Sequence, residues 1–261
     1  MAEADNAIIL YDGFRDVDVF ERPSSTKVLM VRLALCVKGI PHTTSWIDWP
    51  DIAAEATKIG ASPTGERDGK PRYTVPFIYD PTTRIAISDS QKIILYLEGQ
   101  YPDSPRLFPP GTRALQAAFV QSGGPHSVES RILEAAAPIY RGMMSTLTPL
   151  AQEYVAMLHK HSAAGEHKNR MDTDGGEVKI VEVLEVLNEV DGWFREGEAD
   201  GPGDFLTGGA PCNADVTLAA TLISVRNVGG DDSNLWQAIL AANGGRWARY
   251  MELFKAWYKV V

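Results

Sequence analysis

The sequence predicts an α/β domain followed by an all-α domain, and three observations support this fold class. Residues 8–97 follow the order β-α-β-α-β-β-α, which is typical of one sheet with helices on both sides. Residues 102–111 contain four prolines and no apolar periodicity, as a linker between domains would. Beyond them no stretch is strand-like, whereas several have apolar residues at helical spacing. We therefore expect domains at residues 1–100 and 112–261, with a linker at residues 101–111.

Composition and charge exclude several classes of protein. The chain has 261 residues, 44% of them hydrophobic and 23% charged, as in a soluble globular protein. Its net charge of −9 argues against binding to a nucleic acid. No apolar run approaches the ~20 residues that span a bilayer, and the acidic N-terminus does not have the apolar core of a signal peptide. We therefore expect a cytoplasmic protein that binds neither nucleic acids nor membranes.

The first half of the α/β domain begins with an apolar strand at residues 8–11 and a charged loop at residues 12–25. A helix follows and ends at Gly39, because glycine adopts the left-handed conformation after a helix at little cost. Arg32 is predicted to point away from its apolar face, which consists of Val28, Val31 and Leu35. The next elements are predicted as a strand at residues 43–48, a short helix at residues 51–59 and a polar loop at residues 61–72.

The second half of this domain is predicted as a β-hairpin followed by a helix. Residues 74–79 are rich in β-branched and aromatic side chains, which favour a strand. Asp80 and Pro81 have the chemistry of a turn, and the strand resumes at residues 85–87. Three side chains that can cap a helix come next, namely Ser88, Asp89 and Ser90. The apolar face of that helix contains Ile93, Ile94 and Leu97.

Two features of this hairpin and helix indicate ligand binding. Pro76 cannot donate to a strand ladder, and a cis Val75–Pro76 bond would turn both backbone groups of Val75 outward, toward a peptide-like ligand. Asp89 and Ser90 stand at a helix N-terminus, whose free N–H groups and positive dipole end favour a carboxylate. Each feature also has a plainer interpretation, an edge-strand proline and an ordinary helix cap. Together they predict one site for a peptide with a free carboxylate.

The all-α domain is predicted from apolar periodicity. Its helical stretches are residues 112–122, 149–161, 178–194, 215–225 and 246–260. The stretch at residues 215–225 is apolar nearly all round, which is typical of a helix buried inside a bundle. We expect a break at residues 123–125, which read Gly-Gly-Pro, and an exposed loop at residues 163–176.

Histidine and cysteine spacing predicts neither a metal site nor a dithiol. The three histidines near the predicted loop are two and six residues apart, which does not suit one helical face: His159, His161 and His167. Cys36 and Cys212 are far apart, and neither belongs to a Cys-x-x-Cys pair. We expect Cys36 to be an inert core residue, because it lies in an apolar helical run.

The Val75-Pro76 pair, followed by Ser88-Asp89-Ser90 at the start of a helix, resembles the glutathione site of a glutathione transferase. The resemblance extends over nearly the whole chain and is to the fungal FuA-type class, which is related to the bacterial β-aryl etherases of lignin breakdown. The other motifs that carry it are Ile8-Ile-Leu-Tyr-Asp12, Lys38-Gly39-Ile40-Pro41, Trp49-Pro50-Asp51-Ile52, residues 102–112 and Asn243-Gly244-Gly245-Arg246-Trp247.

This resemblance implies a thioredoxin-like fold for residues 1–100, with glutathione as co-substrate and no metal. Val75 would hold the cysteine backbone of glutathione, and Asp89 and Ser90 its γ-glutamyl end. Lys70, Arg72 and Tyr73, just before Val75, could reach its glycine carboxylate, although a solvated loop face is the plainer interpretation of each. The implied reaction is the transfer of glutathione to hydrophobic electrophiles, aromatic or lignin-derived, including ether cleavage. The implied assembly is a homodimer.

The resemblance also implies a side chain at the start of the first helix that stabilises the glutathione thiolate. A free thiol titrates near ~8.5, so a hydrogen-bond donor raises the reactive fraction at pH 7. This position matches Ser25, and the adjacent Ser24 is the alternative. Both serines can be helix caps alone, and capping can coexist with thiol activation. The class carries serine-proline-asparagine here, whereas this chain has Ser25-Thr26-Lys27.

Further expectations concern a helix cap, a pocket and a second function. Cys212 stands where the family's helix-nucleating box has a hydroxyl residue three places before Asp215, which predicts a cap weaker by ~1 kcal/mol unless Asn213 caps instead. Four aromatic residues could line a hydrophobic substrate pocket: Trp46, Trp49, Phe119 and Tyr140. The alternative function is a ligandin that binds hydrophobic aromatic compounds and catalyses little. A third hypothesis is a protein-contact role without glutathione binding.

Overall fold

The fold was analysed in a computed structural model. The structure describes residues 6–13, 25–67, 69–121, 127–144, 149, 152 and 177–258. Over these ranges the chain forms an α/β N-terminal domain and a helical C-terminal domain, which confirms the predicted fold class. No helix in the described ranges combines the length and apolarity needed to cross a membrane.

A four-stranded mixed sheet forms the centre of the N-terminal domain. Its strands are β1 (Ile8–Gly13), β2 (His42–Ile47), β5 (Phe77–Asp80) and β6 (Ile85–Ser88), in the order β2-β1-β5-β6. β1 runs parallel to β2 and antiparallel to β5, and β5 pairs antiparallel with β6. Because side chains alternate along β1, Ile8 and Leu10 enter one apolar cluster while Tyr11 enters the other.

Helices cover both faces of this sheet. The helices of the domain are α1 (Thr26–Val37), α2 (Ile52–Lys58) and α3 (Ser90–Gln100), with a 3-10 turn at Trp49–Asp51 before α2. α1 and α3 pack against each other in the main core, and Ile52 and Ala56 of α2 belong to the opposite cluster.

The predicted orientation of Arg32 is wrong. α1 is buried almost all round, because the sheet and α3 lie on one side of it and the C-terminal domain on the other. Arg32 is 0% exposed, so the period read from Val28, Val31 and Leu35 marked only part of the buried surface. The guanidinium is accommodated by an ion pair with Asp12, described below.

Two further predictions about the N-terminal domain require correction. Residues 61–72, expected to be a loop, contain a two-stranded hairpin of β3 (Gly65–Arg67) and β4 (Lys70–Arg72). Its strands are short and exposed, so they have no apolar alternation that a sequence could reveal. The strand expected at residues 74–79 begins at Phe77, because Pro76 has no N–H to donate to the ladder.

The C-terminal domain is built from helices joined by loops over its described ranges. Its helices are α4 (Arg113–Gln121), α5 (Val128–Ala135), α6 (Ala137–Met144), α7 (Ile180–Gly197), α8 (Asn213–Gly229) and α9 (Asn234–Phe254). α8 is buried from Asn213 to Val225 and packs against α1, as expected of a central helix. α9 is kinked at residues 242–245, where Asn243, Gly244 and Gly245 have positive φ.

Several predictions for this domain missed an element or lie outside the described residues. α5 and α6 were not foreseen, because they are short and their apolar residues follow the Gly-Gly-Pro break too closely to show a clear period. Four other predictions lie outside the described residues: the break at residues 123–125, the loop at residues 163–176, the three histidines and most of the helix at residues 149–161. Of that helix, only positions 149 and 152 are described.

Candidate functional site

Ser25 is the N-cap of α1, as the sequence predicts. Its backbone is extended, and its hydroxyl oxygen accepts a hydrogen bond from the N–H of Val28 at 3.4 Å. A hydroxyl that accepts one bond still has its own proton to donate. Ser25 can therefore cap the helix and donate to an anion at the same time. Ser24, the alternative, lies outside the described residues.

The Val75–Pro76 peptide bond is cis. Val75 lies in a bend just before β5, and within the described ranges no backbone hydrogen bond is formed by its N–H or C=O. Both groups are thus available to an extended peptide. Gly13, at the end of β1, lies close to Val75, because a Cβ atom at Gly13 would be 3.5 Å from Cγ2 of Val75 and 3.2 Å from Nε1 of Trp49.

Asp89 and Ser90 form the N-terminus of α3. Asp89 is the N-cap, and its Oδ1 accepts hydrogen bonds from the N–H groups of Gln91 and Lys92, both at 3.0 Å. Its φ of +80° is unusual for a residue with a Cβ atom, and it turns the chain sharply from β6 into the helix. Ser90 is buried, and no hydrogen bond of its hydroxyl to another described residue is present. Asp89 already occupies the N–H groups of Gln91 and Lys92, so the hydroxyl and N–H of Ser90 are the donors that remain at this helix start for a carboxylate.

Strand register brings these pieces to one edge of the sheet. Tyr11 of β1 pairs with Phe77 of β5, and Phe77 pairs with Ser88 of β6. The residues just beyond these pairs are Gly13, Val75 and Asp89, which therefore share that edge. α1, with Ser25 at its start, is the helix that follows β1 in the chain.

The second domain reaches this edge through an ion pair. Nζ of Lys27, in the first turn of α1, lies 2.6 Å from Oε2 of Glu129 in the first turn of α5. Ser127, the N-cap of α5, accepts from the N–H of Ser130 at 3.1 Å. The start of α1 and the start of α5 are thus adjacent, so a ligand beside Ser25 would contact both domains. Sequence reasoning missed Glu129, because nothing in its local pattern distinguishes it from a surface carboxylate.

A buried ion pair supports the end of β1 from within the domain. Nη2 of Arg32 lies 3.3 Å from Oδ2 of Asp12, and Nη1 donates to Oγ1 of Thr44 at 2.8 Å. The guanidinium also lies 5.9 Å from the ring centroid of Trp46. Burial raises the pKa of Asp12 to about 7, although the charge of Arg32 opposes that shift. The sequence signal for this pair was one charged residue inside the apolar run of α1 and another directly after the apolar run of β1.

The other candidate residues have varied surroundings. Lys70 and Arg72 lie exposed on β4, and Tyr73 is half-buried beyond it. Each of the four aromatic residues has a contact of its own: Trp46 lies near Arg32, Trp49 beside Gly13, Phe119 edge-on to Trp193, and Tyr140 is hydrogen-bonded to Ser224.

Two further predictions concern the burial of Cys36 and the binding of a metal ion. Cys36 is half-buried rather than a core residue, and its sulfur lies 4.0 Å from Nε2 of His42. Among the residues that the structure describes, no group of three or more His, Cys, Asp or Glu side chains is arranged to hold a metal ion.

Comparisons with known proteins match both halves of the chain to one family. Residues 24–100 match the family model described as the glutathione S-transferase N-terminal domain, and residues 114–257 match the glutathione S-transferase C-terminal domain. The glutathione S-transferase-like protein ustS of Aspergillus flavus is 27% identical over 251 residues, which cover 90% of this chain and 85% of the relative.

Two solved structures are similar over almost their full length. Glutathione transferase GSTFuA3 from Phanerochaete chrysosporium is 33% identical, with 98% of each chain covered and a TM-score of 0.81. CsGST63524 of Ceriporiopsis subvermispora, solved in complex with glutathione, is 32% identical, with 98% of this chain and 99% of that chain covered and a TM-score of 0.80. The motifs, the two-domain fold and these matches establish that the chain belongs to the glutathione S-transferase family.

Proposed function

We propose that this protein transfers glutathione to hydrophobic electrophiles, aromatic or lignin-derived, with a serine hydroxyl that stabilises the thiolate. The observation that carries the proposal is the shared edge of the sheet, where Val75 with its unpaired backbone groups lies beside the N-terminus of α3. That arrangement suits an extended peptide with a free carboxylate. The complex of the 32% identical CsGST63524 with glutathione supports the same ligand.

Each part of the glutathione molecule has a proposed partner. The N–H and C=O of Val75 pair with its cysteine backbone, and Ser90 binds the γ-glutamyl carboxylate through its hydroxyl and N–H. Asp89 holds the helix start in place through its two cap bonds and presents its second carboxylate oxygen to the γ-glutamyl amine. Ser25 donates its proton to the thiolate while its oxygen stays bonded to Val28.

Thiol activation here requires only a modest free energy. One pKa unit of a thiol corresponds to ~1.4 kcal/mol of differential stabilisation, about that of one charge-assisted hydrogen bond. The N-terminus of α1 adds favourable dipole charge at the same place. A single hydroxyl at the position of Ser25 is therefore sufficient to make the thiolate abundant near neutral pH.

The proposal extends to the domains and their setting. Residues 1–100 bind glutathione, residues 101–111 link the domains, and residues 112–261 contribute the hydrophobic substrate site. The Lys27–Glu129 contact supports this division, since it brings α5 to the thiol end of the glutathione site. We further propose a cytoplasmic homodimer, as in the implied class.

Calorimetric titration of glutathione, with turnover of 1-chloro-2,4-dinitrobenzene alongside, tests these roles. We expect Ser90→Ala to weaken glutathione binding about tenfold, because it removes one hydrogen bond to a charged group. We expect Ser25→Ala to leave binding nearly unchanged, to lower kcat by about 100-fold, and to move the pH–rate profile toward higher pH.

A serine that caps a distant helix provides the control. Ser233 accepts from the N–H of Trp236 at 3.2 Å at the start of α9, so Ser233→Ala removes a cap without touching the site. Its binding and turnover should equal those of the wild type. If the wild type does not bind glutathione at millimolar concentration, the proposed function is wrong.

A ligandin is the second candidate. It is favoured by Lys27, which occupies the class's asparagine position and is engaged by Glu129 rather than available to a thiolate. A ligandin would bind glutathione and hydrophobic aromatic compounds, but its turnover would be slow and would not respond to Ser25→Ala. Loss of turnover in Ser25→Ala would contradict it.

A further inference from the structure

A groove of about 330 Å³ lies between the end of α3 and the interdomain linker. Glu98 and Gly99 of α3 form one side, the linker from Arg106 to Gly111 forms another, and Arg113 at the start of α4 closes it. Ser90 lies at the opposite end of α3, eight residues from Glu98, or about 12 Å at the helical rise per residue. The groove is therefore separate from the candidate glutathione site.

The lining of this groove carries excess positive charge. Its one carboxylate, Glu98, is neutralised from behind by the buried ammonium of Lys38 at 3.0 Å and also accepts the N–H of Leu107 at 3.1 Å. Arg106 and Arg113 are exposed, and within the described ranges no ion pair with a carboxylate is present for either. Two uncompensated guanidinium groups in a protein with a net charge of −9 mark a local site for an anion.

Aromatic and proline surfaces complete the groove. The guanidinium of Arg113 lies 5.5 Å from the ring centroid of Phe108, which is a cation–π contact. Pro109 and Pro110 add rigid apolar walls that require no ordering on binding. α4, a helix of nine residues, begins at Arg113, so its positive dipole end also faces this region.

We propose that this groove binds a small planar aromatic anion, such as an aryl carboxylate. The ring would lie against Phe108, the prolines and the plane of Arg113, while Arg106 and Arg113 donate to the carboxylate. A charged fork above an aromatic surface matches such a ligand better than inorganic phosphate, which has no ring to cover, or a neutral aromatic, which leaves both cations unpaired. This binding site is additional to the glutathione transfer proposed above and does not depend on it.

Naphthalene-2-carboxylate is a suitable probe, with naphthalene-2-carboxamide as its neutral counterpart. Ligand-observed NMR titrations in the presence of saturating glutathione measure the affinity of each probe, and the arginine variants assign it to the groove, because glutathione leaves the hydrophobic substrate site open. We expect the carboxylate to bind at least about tenfold more tightly than the carboxamide, and Arg113→Gln and Arg106→Gln each to weaken it by about tenfold. Raising the salt concentration should weaken binding further.

Lys255→Gln is the matched control, because it also removes one exposed positive charge. Lys255 directly follows α9 and forms an ion pair with Glu252. The Lys255→Gln variant should leave the affinity unchanged. Arg106 and Arg113 are exposed, so both variants should fold, which melting curves would check. Equal affinity of carboxylate and carboxamide, or unchanged affinity in both arginine variants, would overturn the proposal. Failure of glutathione to bind would refute only the proposed transferase function, because the arginine variants report on the groove alone.

Discussion

At the scale of single residues, the buried carboxylate of Asp80 holds together the end of the β5–β6 hairpin. The hydroxyls of Tyr96 and Tyr101 both donate to its Oδ2 at 2.7 Å, and the N–H of Thr82 donates to Oδ1 at 2.9 Å. Burial alone would raise the pKa of Asp80, but these hydrogen bonds outweigh it and the pKa is lowered. The turn therefore depends on an ionised group inside the protein.

We expect Tyr101→Phe to lower the free energy of unfolding by about 1.5–3 kcal/mol, because it removes one hydrogen bond to a buried charge. Chemical denaturation at pH 7 measures this change. Tyr79→Phe is the control, since Tyr79 lies half-buried on β5 and shares no hydrogen bond with Asp80. A loss in Tyr101→Phe no larger than that of the control would show that the bond contributes nothing.

The lowered pKa of Asp80 also predicts a pH dependence. A carboxyl group whose folded pKa lies below its unfolded value of 3.8 stabilises the folded state above that pH and loses this contribution as pH falls. We therefore expect Asp80→Asn to be destabilised relative to wild type at pH 7. The difference should begin to shrink as the pH falls below the unfolded value of 3.8, and this contribution is lost as the pH passes the lowered folded pKa, where the carboxyl group becomes neutral. Denaturation curves at several pH values would reveal a pH-independent difference if this account is wrong.

At the scale of elements, the start of α8 is the most unusual helix end in the molecule's described part. Cys212 is the N-cap, and its N–H donates to Oδ2 of Asp215 at 3.0 Å, while its thiol faces the N–H of Asp215. Asp215 also accepts from the N–H of Leu206 and the hydroxyl of Tyr250. Asn213, the alternative cap, is instead the first residue of the helix. Burial raises the pKa of Cys212 to about 12, so the sulfur remains a neutral, weak acceptor.

We expect Cys212→Ser to stabilise the protein by about 1 kcal/mol, because a hydroxyl oxygen caps the N–H of Asp215 better than sulfur does. This would raise Tm by about 2–4 °C for a protein of this size. Thermal unfolding under reducing conditions measures it. Cys36→Ser, in the body of α1, should bring no gain; equal behaviour of the two variants would contradict the capping argument.

At the scale of the whole molecule, one carboxylate ties the N-terminal domain to the linker, and the linker in turn is bonded to the C-terminal domain. Glu98 of α3 accepts from Nζ of Lys38, the residue after α1, and from the N–H of Leu107 in the linker. Lys38 also donates to the carbonyl of Pro105 at 3.1 Å, and the carbonyl of Leu107 accepts from the N–H of Asn213 in α8. The linker is thus fixed to both domains by buried polar contacts despite having no regular structure.

We expect Glu98→Gln to cost about 3–5 kcal/mol in unfolding free energy, because it leaves the buried ammonium of Lys38 without its counter-charge. Glu252→Gln, which removes the exposed partner of Lys255, should cost less than about 1 kcal/mol. Denaturation of both variants, monitored by tryptophan fluorescence, compares them. Similar costs would show that the Lys38–Glu98 pair is no more important than a surface pair.

The amount that could be predicted differed between elements for physical reasons. α8 was foreseen as a buried central helix because it is apolar nearly all round over residues 215–225. The hairpin of β3 and β4 was missed because exposed strands of three residues have no side that must be apolar. Arg32 was misplaced because helical periodicity assumes one solvent-facing side, which α1 does not have.

By itself, the sequence determined the β-α-β-α-β-β-α order of the main elements of the first domain, the α/β and all-α division and the membership of the family. These depend on local patterns, such as apolar periods, caps and the Val75-Pro76 and Asp89-Ser90 motifs, which act over a few residues. Only the tertiary structure decided which distant groups meet. The packing of the helices and the sheet sets two ion pairs, Lys27 with Glu129 and Asp12 with Arg32. It also places the two arginines that flank the linker groove, and no short-range pattern encodes these positions.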